Sequence, residues 1–521
     1  MTAKARLIEL DAYHLASGHV HRWYLSLGKY RSRATDTPAA LPYLPLVGTP
    51  AAVSVALVAL GEALGATRVE VGRIELSNAL DWQGERRARV YDVTAGTWLT
   101  VTLPERPLNL LLTDYALAGW PVVDRVVEAG AALSTAAVVF RGVMEMPEPA
   151  RGAITIPIRT READFDDPVL RETYSAGDGA DLEGRTKERH FGHGYAEPTY
   201  LGVIGGKHTY SVNGAHAIED VAVFWDSGAR LTKVTSGTPG ASEWKVDPAT
   251  GIITLGGTRP SAPMCEVKGD KTGGVWRRYA GELAQHLAVT HTGVLTLAEV
   301  DTASVATLDA TPRTMGLWLA PGDGTTGRQA LDGLLGSLAR GYWLMGEDGK
   351  LSVGRLPAAA GAPAATYVKG RTTPGLQPRA AAGRGLPAKA VTLRFARIPT
   401  PAATLASSAT EADAKLLKAA WRESPVSDPA TAAAYKGART VTIETALFAR
   451  ADADAEAAEF LADLKRVVGV YDLPVYDLAP GVTRRSVVAV DDDVAGFEGG
   501  RLVTVIGKTM RSTRATLTVR T

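Results

Sequence analysis

Cysteine is nearly missing from this sequence: Cys265 is the single one in 521 residues. That excludes an intrachain disulfide and any cysteine-based zinc site. Cys265 lies in the strand-like run Ala262-Pro263-Met264-Cys265-Glu266-Val267 and reads as a buried small hydrophobe. Net charge is nearly missing too, since 57 basic residues against 56 acidic ones leave +1. Such a chain has no general electrostatic pull toward nucleic acid or an anionic membrane, and no nucleic-acid specificity is expected. Its weak self-repulsion suits a subunit packed among many others. Long apolar runs are lacking as well. The longest, Ala51 to Leu60, is about half the ~20 residues a membrane span needs. The opening Met1-Thr2-Ala3-Lys4-Ala5-Arg6 carries no signal-peptide core, so synthesis in a reducing cytoplasm is expected. No repeat of fixed period is visible.

What is present is a globular composition, 45% hydrophobic and 22% charged, in a chain too long for one core of roughly 250–300 residues. Period-two alternation predicts β structure first. Arg68 to Leu76 reads as one half-buried strand ending in a Ser77-Asn78 turn, and Arg89–Val93 and Thr97–Leu103 as a hairpin across Thr94-Ala95-Gly96. Strands follow at 137–143 and 152–158, the latter at an edge or strand end because of Pro157. The pattern predicts a barrel-like domain over 1–160 and a β-rich domain with an irregular charged lead-in over 161–275. An α+β domain over 276–356 follows, with helices at Tyr279–Val289 and Gln329–Arg340. Residues 357–388, rich in Ala, Pro and Gly, read as a linker. A C-terminal barrel-like domain is expected over 389–521, although the segments of each domain need not be contiguous. Its helix, Ala451 to Val468, turns Ala457, Phe460, Leu461 and Leu464 to one side. The strands at 486–490, 501–506 and 515–519 are the expected cover, which would bury Phe460.

The motifs that could carry chemistry have bland explanations. Gly322-Asp323-Gly324-Thr325-Thr326-Gly327 matches GxGxxG, with Glu347 about where a ribose-binding acid would stand. The strand after it turns at once into a hairpin, Tyr342–Met345 to Leu351–Val353, whereas a dinucleotide fold needs parallel crossovers. The string reads instead as a turn in which Thr325 or Thr326 caps a helix. The histidines group as His14, His19 and His21, as His190 and His193, and as His286 and His291. His14 is spaced too irregularly to join His19 and His21, and no HExxH occurs, so surface or interface roles are expected. The acidic runs at Asp164-Phe165-Asp166-Asp167 and Asp491-Asp492-Asp493 read as solvated loops, and Asp452, Asp454 and Glu456 as complements to a helix dipole. No GxSxG elbow or full Walker string is present. Catalytic, cofactor-binding and metal residues are all expected to be none, and the protein is not expected to be an enzyme.

An ordered series of short motifs is more specific. Tyr43-Leu44-Pro45 precedes Gly72-Arg73-Ile74-Glu75-Leu76-Ser77-Asn78-Ala79-Leu80-Asp81. Then come Phe140-Arg141-Gly142, Ile156, Arg159, Asp164, Pro168, Tyr174, Leu182-Glu183-Gly184-Arg185, Phe191-Gly192-His193 and Tyr210-Ser211-Val212. Ile218 to Gly228 leads to Leu231-Thr232, and Tyr476-Asp477-Leu478 and Gly496 to Arg501 close the chain. This order resembles the baseplate hub, or tail-tip, proteins of long-tailed (siphophage-like) bacteriophages and gene transfer agents. Gly194, where a valine is usual, and the Ala-rich linkers depart from the pattern.

The resemblance implies a mainly β, multidomain fold of two β-barrel-like domains plus smaller α+β domains. It implies a structural virion protein, made in the host cytoplasm, at the centre of the tail tip. There it would join the tail tube to the distal tip and fibres, with distal tail, tape-measure and tip or fibre proteins as neighbours. A homotrimer is implied, since three chains of two barrels meet a sixfold tube without a symmetry break. Two alternatives compete. A tail-tip cell-wall-degrading enzyme would need a carboxylate pair or metal site within 160–200. A receptor- or glycan-binding tail module could use the ten tryptophans, but these are scattered in sequence, as core residues are.

Overall fold

The computed structural model describes residues 4–50, 53–57, 67–69, 72–78, 86–178, 181–346, 348–378, 386–479, 481–511 and 514–521. The fold is mostly β. Its first body is a barrel. From His19–Leu27 the strands run in order through Lys4–His14, Pro121–Glu128, Ala137–Met144, Ala153–Arg159 and Gly72–Ser77 to Val47–Thr49. A bridge between Leu25 and Leu44 returns to the starting strand and closes the ring. Alternation turns Ile8, Leu10, Trp23, Leu76, Val122 and Ile156 into one interior cluster. Arg6 and Asp124, both buried, pair there at 2.5 Å. The expected hairpin is present as Arg87–Asp92 and Thr97–Thr102, with Trp98 opposite Tyr91, and it hangs from His19–Leu27.

Two readings of this region change. Pro157 does not mark an edge, because Ala153–Arg159 has neighbours on both sides. Proline is tolerated because it falls where the partner changes. Ile158 faces Met144 and Thr155 faces Glu148, so no partner on that side requires an N–H at 157. The run Arg68 to Leu76 is not one strand either. Gly72–Ser77 belongs to the barrel, while Thr67–Val69 pairs with Val53–Leu57 and lies in a different sheet.

That sheet forms the second barrel-like body, in the order Thr366–Val368, Val487–Asp491, Arg501–Arg511, Arg514–Arg520, Val470–Val475, Gln377–Pro378. Val53–Leu57 joins it along Arg501–Arg511. Its interior gathers Tyr367, Leu473, Val490, Phe497, Val503 and Leu517. The 357–388 stretch is therefore more than a linker, since it supplies both end strands of this sheet.

Between the two barrels in sequence comes a sandwich of two five-stranded sheets, closed over Tyr210, Phe224, Trp244 and Val267. One of its strands, Arg189–Ala196, falls in the stretch expected to be irregular. Against the sandwich packs an α+β region whose single core runs from Phe165 through Leu283, Leu334 and Val391 to Phe460 and Leu461. This core crosses the expected boundaries at 275, 356 and 389. The helix Arg450–Leu464 does bury Phe460, at 3% exposure. Its cover, however, is the three-stranded sheet Arg422–Ser427, Ala388–Phe395, Arg439–Glu444 and not the C-terminal barrel strands. A sheet with an open apolar face is available earlier in the chain, and the helix connects directly to its last strand.

Candidate functional site

The strand Arg189–Ala196 organises the middle of the molecule because it serves two partners. Residues 189–192 pair with Gly316–Leu319, and residues 193–196 pair with Pro263–Asp270. The changeover needs glycine. Gly192 has φ +76°, and a Cβ there would lie 2.0 Å from the Met315 carbonyl oxygen. Around this strand the grouped histidines turn inward, contrary to the surface roles expected of them. His190 is fully buried, and neither of its ring nitrogens has a hydrogen-bond partner among the described residues. Burial pushes its imidazole down to about 3. A Cβ at Gly194 would sit 3.2 Å from His190 Nε2, and one at Gly269 2.5 Å from Nδ1. Gly194 thus makes room for the imidazole.

On the other side of the strand, Phe191 packs edge-on against the rings of His286 and His291. Both histidines meet the carboxylate of Asp270, the last residue of Pro263–Asp270. His286 Nε2 is 2.7 Å and His291 Nε2 3.6 Å from Asp270 Oδ2, and the two Nε2 atoms are 3.0 Å apart. Three more donors fix the carboxylate: Asn213 Nδ2 at 3.2 Å, Thr272 Oγ1 at 2.9 Å and the Thr272 amide at 3.2 Å. Burial opposes the charge, but the hydrogen bonds from His286 and Asn213, with the nearby His291 imidazole, hold the Asp270 carboxyl well below the usual carboxylate range. For His291, burial pushes the imidazole down while Asp270 works the other way.

Sequence spacing pairs His286 with His291 but gives no reason for them to converge. Five residues on an α-helix differ by about 140° in direction. The helix Ala280–His286 continues as a π-helical turn, Leu287–His291, with the Thr292 amide bonded to the Leu287 carbonyl at 2.9 Å. That widening swings both rings to one side. Asp270 carries no local signal at all.

The remaining flagged residues are structural. His14 does join its neighbours, because the hairpin sets it opposite His19 and its ring stacks 5.0 Å from that of His21. His21 is buried, while His19 bonds Asp92 at 2.8 Å. Within the acidic run Asp164 pairs with Arg159 and Arg161, Asp166 with Arg328, and Asp167 with Arg171, so no two of these carboxylates share a proton. Asp493 pairs with Lys369. Glu456 is fully buried between Arg313 and Arg355, at 2.8 and 2.5 Å, which is a packing role and not a dipole role. In the GxGxxG string Thr326 caps the helix Gly327–Gly336 through the Gln329 amide, and Glu347 lies outside the described residues. Cys265 is buried, its thiol pushed up by burial.

A cavity of about 800 Å³ lies beside the same strand, lined among others by His190, His193, Tyr200, Arg259, Trp318 and Trp421. Two tryptophans scattered in sequence thereby line one cavity. His193 Nε2 is held by Glu266 at 2.9 Å, and its ring stacks on Phe448 with centroids 4.0 Å apart.

No protein-family model matches the chain, and no curated protein matches it in sequence. Among solved structures, the 43 kDa tail protein of prophage MuSo2 from Shewanella oneidensis aligns over 98% of this chain and 95% of its own, at 10% identity and a TM-score of 0.41. A tail protein from Neisseria meningitidis MC58 aligns over 99% and 96%, at 11% identity and 0.40. A chain from the virion of a native gene transfer agent particle aligns over 52% and 80%, at 16% identity and 0.19. Alignments this loose leave the function to be read from the residues.

Proposed function

We propose that this chain is a structural subunit of a bacteriophage-type tail, acting as the hub at the tail tip in three copies. The observation that carries the reading is the strand Val53–Leu57, which leaves the first barrel and hydrogen-bonds along Arg501–Arg511 of the second. It fastens two barrels of one chain side by side, which is what three subunits need to present six barrels to a sixfold tube. The ordered motif series from Tyr43 to Arg501 supports the same assignment. An averaged image of the assembled particle tests it: three copies are expected at the tail tip, and one or six would contradict it. A second reading, a receptor- or glycan-binding tail module, draws on the cavity walled by Trp318 and Trp421. Glycan-array binding that is lost in Trp421→Ala would favour it.

A further inference from the structure

We propose that Asp270, His286 and His291 bind a single zinc ion that pins the π-helical turn to the end of the sandwich strand. The three ligand-type atoms lie within 4.8 Å of one another. Their separations of 2.7, 3.0 and 3.6 Å bracket the roughly 3.3 Å expected between neighbouring ligands of a tetrahedral ion with bonds of about 2.0–2.1 Å. Two imidazole nitrogens facing each other can share only one proton, whereas a dication satisfies both lone pairs and the carboxylate together. Independent of these distances, the backbone is built to bring them about. The π turn is an uncommon conformation that is frequent at functional positions, and here it is what makes residues five apart converge.

The surroundings match a metal centre as well. Asp270 is oriented by Asn213 and Thr272, and Asn213 is in turn fixed by the His190 amide at 3.0 Å and the Ala217 carbonyl at 3.1 Å. Outer partners of this kind set ligand direction. Arg189 stands 3.8 Å from Asp270 but also contacts Glu172 at 3.2 Å, with Glu188 beside it, so Asp270 keeps its charge for the ion. Two imidazoles and one carboxylate suit zinc, and a water at the fourth corner completes the shell. Asp270 and His286 are 2% and 3% exposed and the His291 side chain 9%, so the site is nearly closed and the ion would brace the fold.

The test uses the full chain, stripped with chelator and titrated with zinc. One zinc per chain and a raised Tm are expected, and no zinc uptake would overturn the proposal. His291→Asn should lower affinity by roughly 100-fold or more, while His19→Ala, at a histidine of the first barrel paired with Asp92, should leave it unchanged. Unchanged affinity in His291→Asn would also overturn it. X-ray absorption at the zinc edge on the wild-type chain needs no variant to fold. Scattering from two imidazoles is expected, and a zinc shell without imidazole would refute the assignment.

Discussion

Between Lys4 and Arg159 the chain builds one barrel, apart from Val53–Leu57 and Thr67–Val69, which join the second, and a bridge at Leu44 seals it. The barrel around Phe497 draws instead on Val53–Leu57, on Thr366–Val368 and Gln377–Pro378, and on strands from Val470 to Arg520. The first joins hairpins such as Lys4–His14 with His19–Leu27, whose closure costs little entropy, through longer-range pairs such as Lys4–His14 with Pro121–Glu128, all within the first third of the chain. The second must wait for distant segments to meet, so its edges depend on the rest of the molecule. One ion pair shows this dependence. Arg520, in the last strand, pairs with Asp463 at 2.5 Å on the helix Arg450–Leu464, which belongs to the central core. Arg6 and Asp124, by contrast, both lie in strands of the first barrel.

The largest expected effect comes from charging the two interiors in parallel. Ile8→Asp and Val503→Asp each force an unpaired carboxylate into a fully buried position, costing several kcal/mol. Ile8→Asp should expose the segments 4–49 and 72–159 to protease and spare 470–520. Val503→Asp should add cleavage within 53–69, because its loss releases the strand borrowed from the first barrel. Cleavage confined to the C-terminal segment would break the comparison.

Phe460→Asp sharpens it. Removing the ring alone costs roughly 3–5 kcal/mol, and the buried carboxylate adds to that. Because Phe460 covers the sheet around Val391, the central core should melt first in calorimetry, and assembly should yield particles without finished tails. Fully tailed, infectious particles would refute the role given to this helix.

Gly194→Val should cost about 1–3 kcal/mol by overpacking against His190, with a lower denaturation midpoint and both barrels still resistant to protease. The effect that is smallest at neutral pH is a pH dependence. His190 titrates at about 3 when folded against 6.5 when free. The unfolded chain therefore takes up the proton first, and stability is complete above 6.5. It declines as pH falls from 6.5 toward 3, by at most about 1.4 kcal/mol per pH unit. In His190→Gln that component should vanish, so the Tm difference from wild type should shrink on acidification. A constant difference from pH 7 to 4.5 would remove His190 from the account.

Part of the first barrel was legible in the sequence because alternation and turn residues act locally. The hairpin through Thr94-Ala95-Gly96 and the Thr326 cap need only neighbours. Locality also explains the errors. Arg68 to Leu76 alternates without a break, yet its two halves join different sheets, since alternation says which faces are buried but not which partner buries them. The apolar side of Arg450–Leu464 likewise promised a covering sheet without saying which.

The sequence by itself determined the β-rich class, the burial of Phe460 and Cys265, and the helix start at Thr326. These follow from periodicity, composition and capping within a few residues. Only the tertiary structure decided that 53–57 would complete the second barrel, that His190 would be sealed between Gly194 and Gly269, and that Asp270 would meet His286 and His291. Each of these needs strands remote in sequence to be brought within a few ångström, and no local pattern encodes that distance.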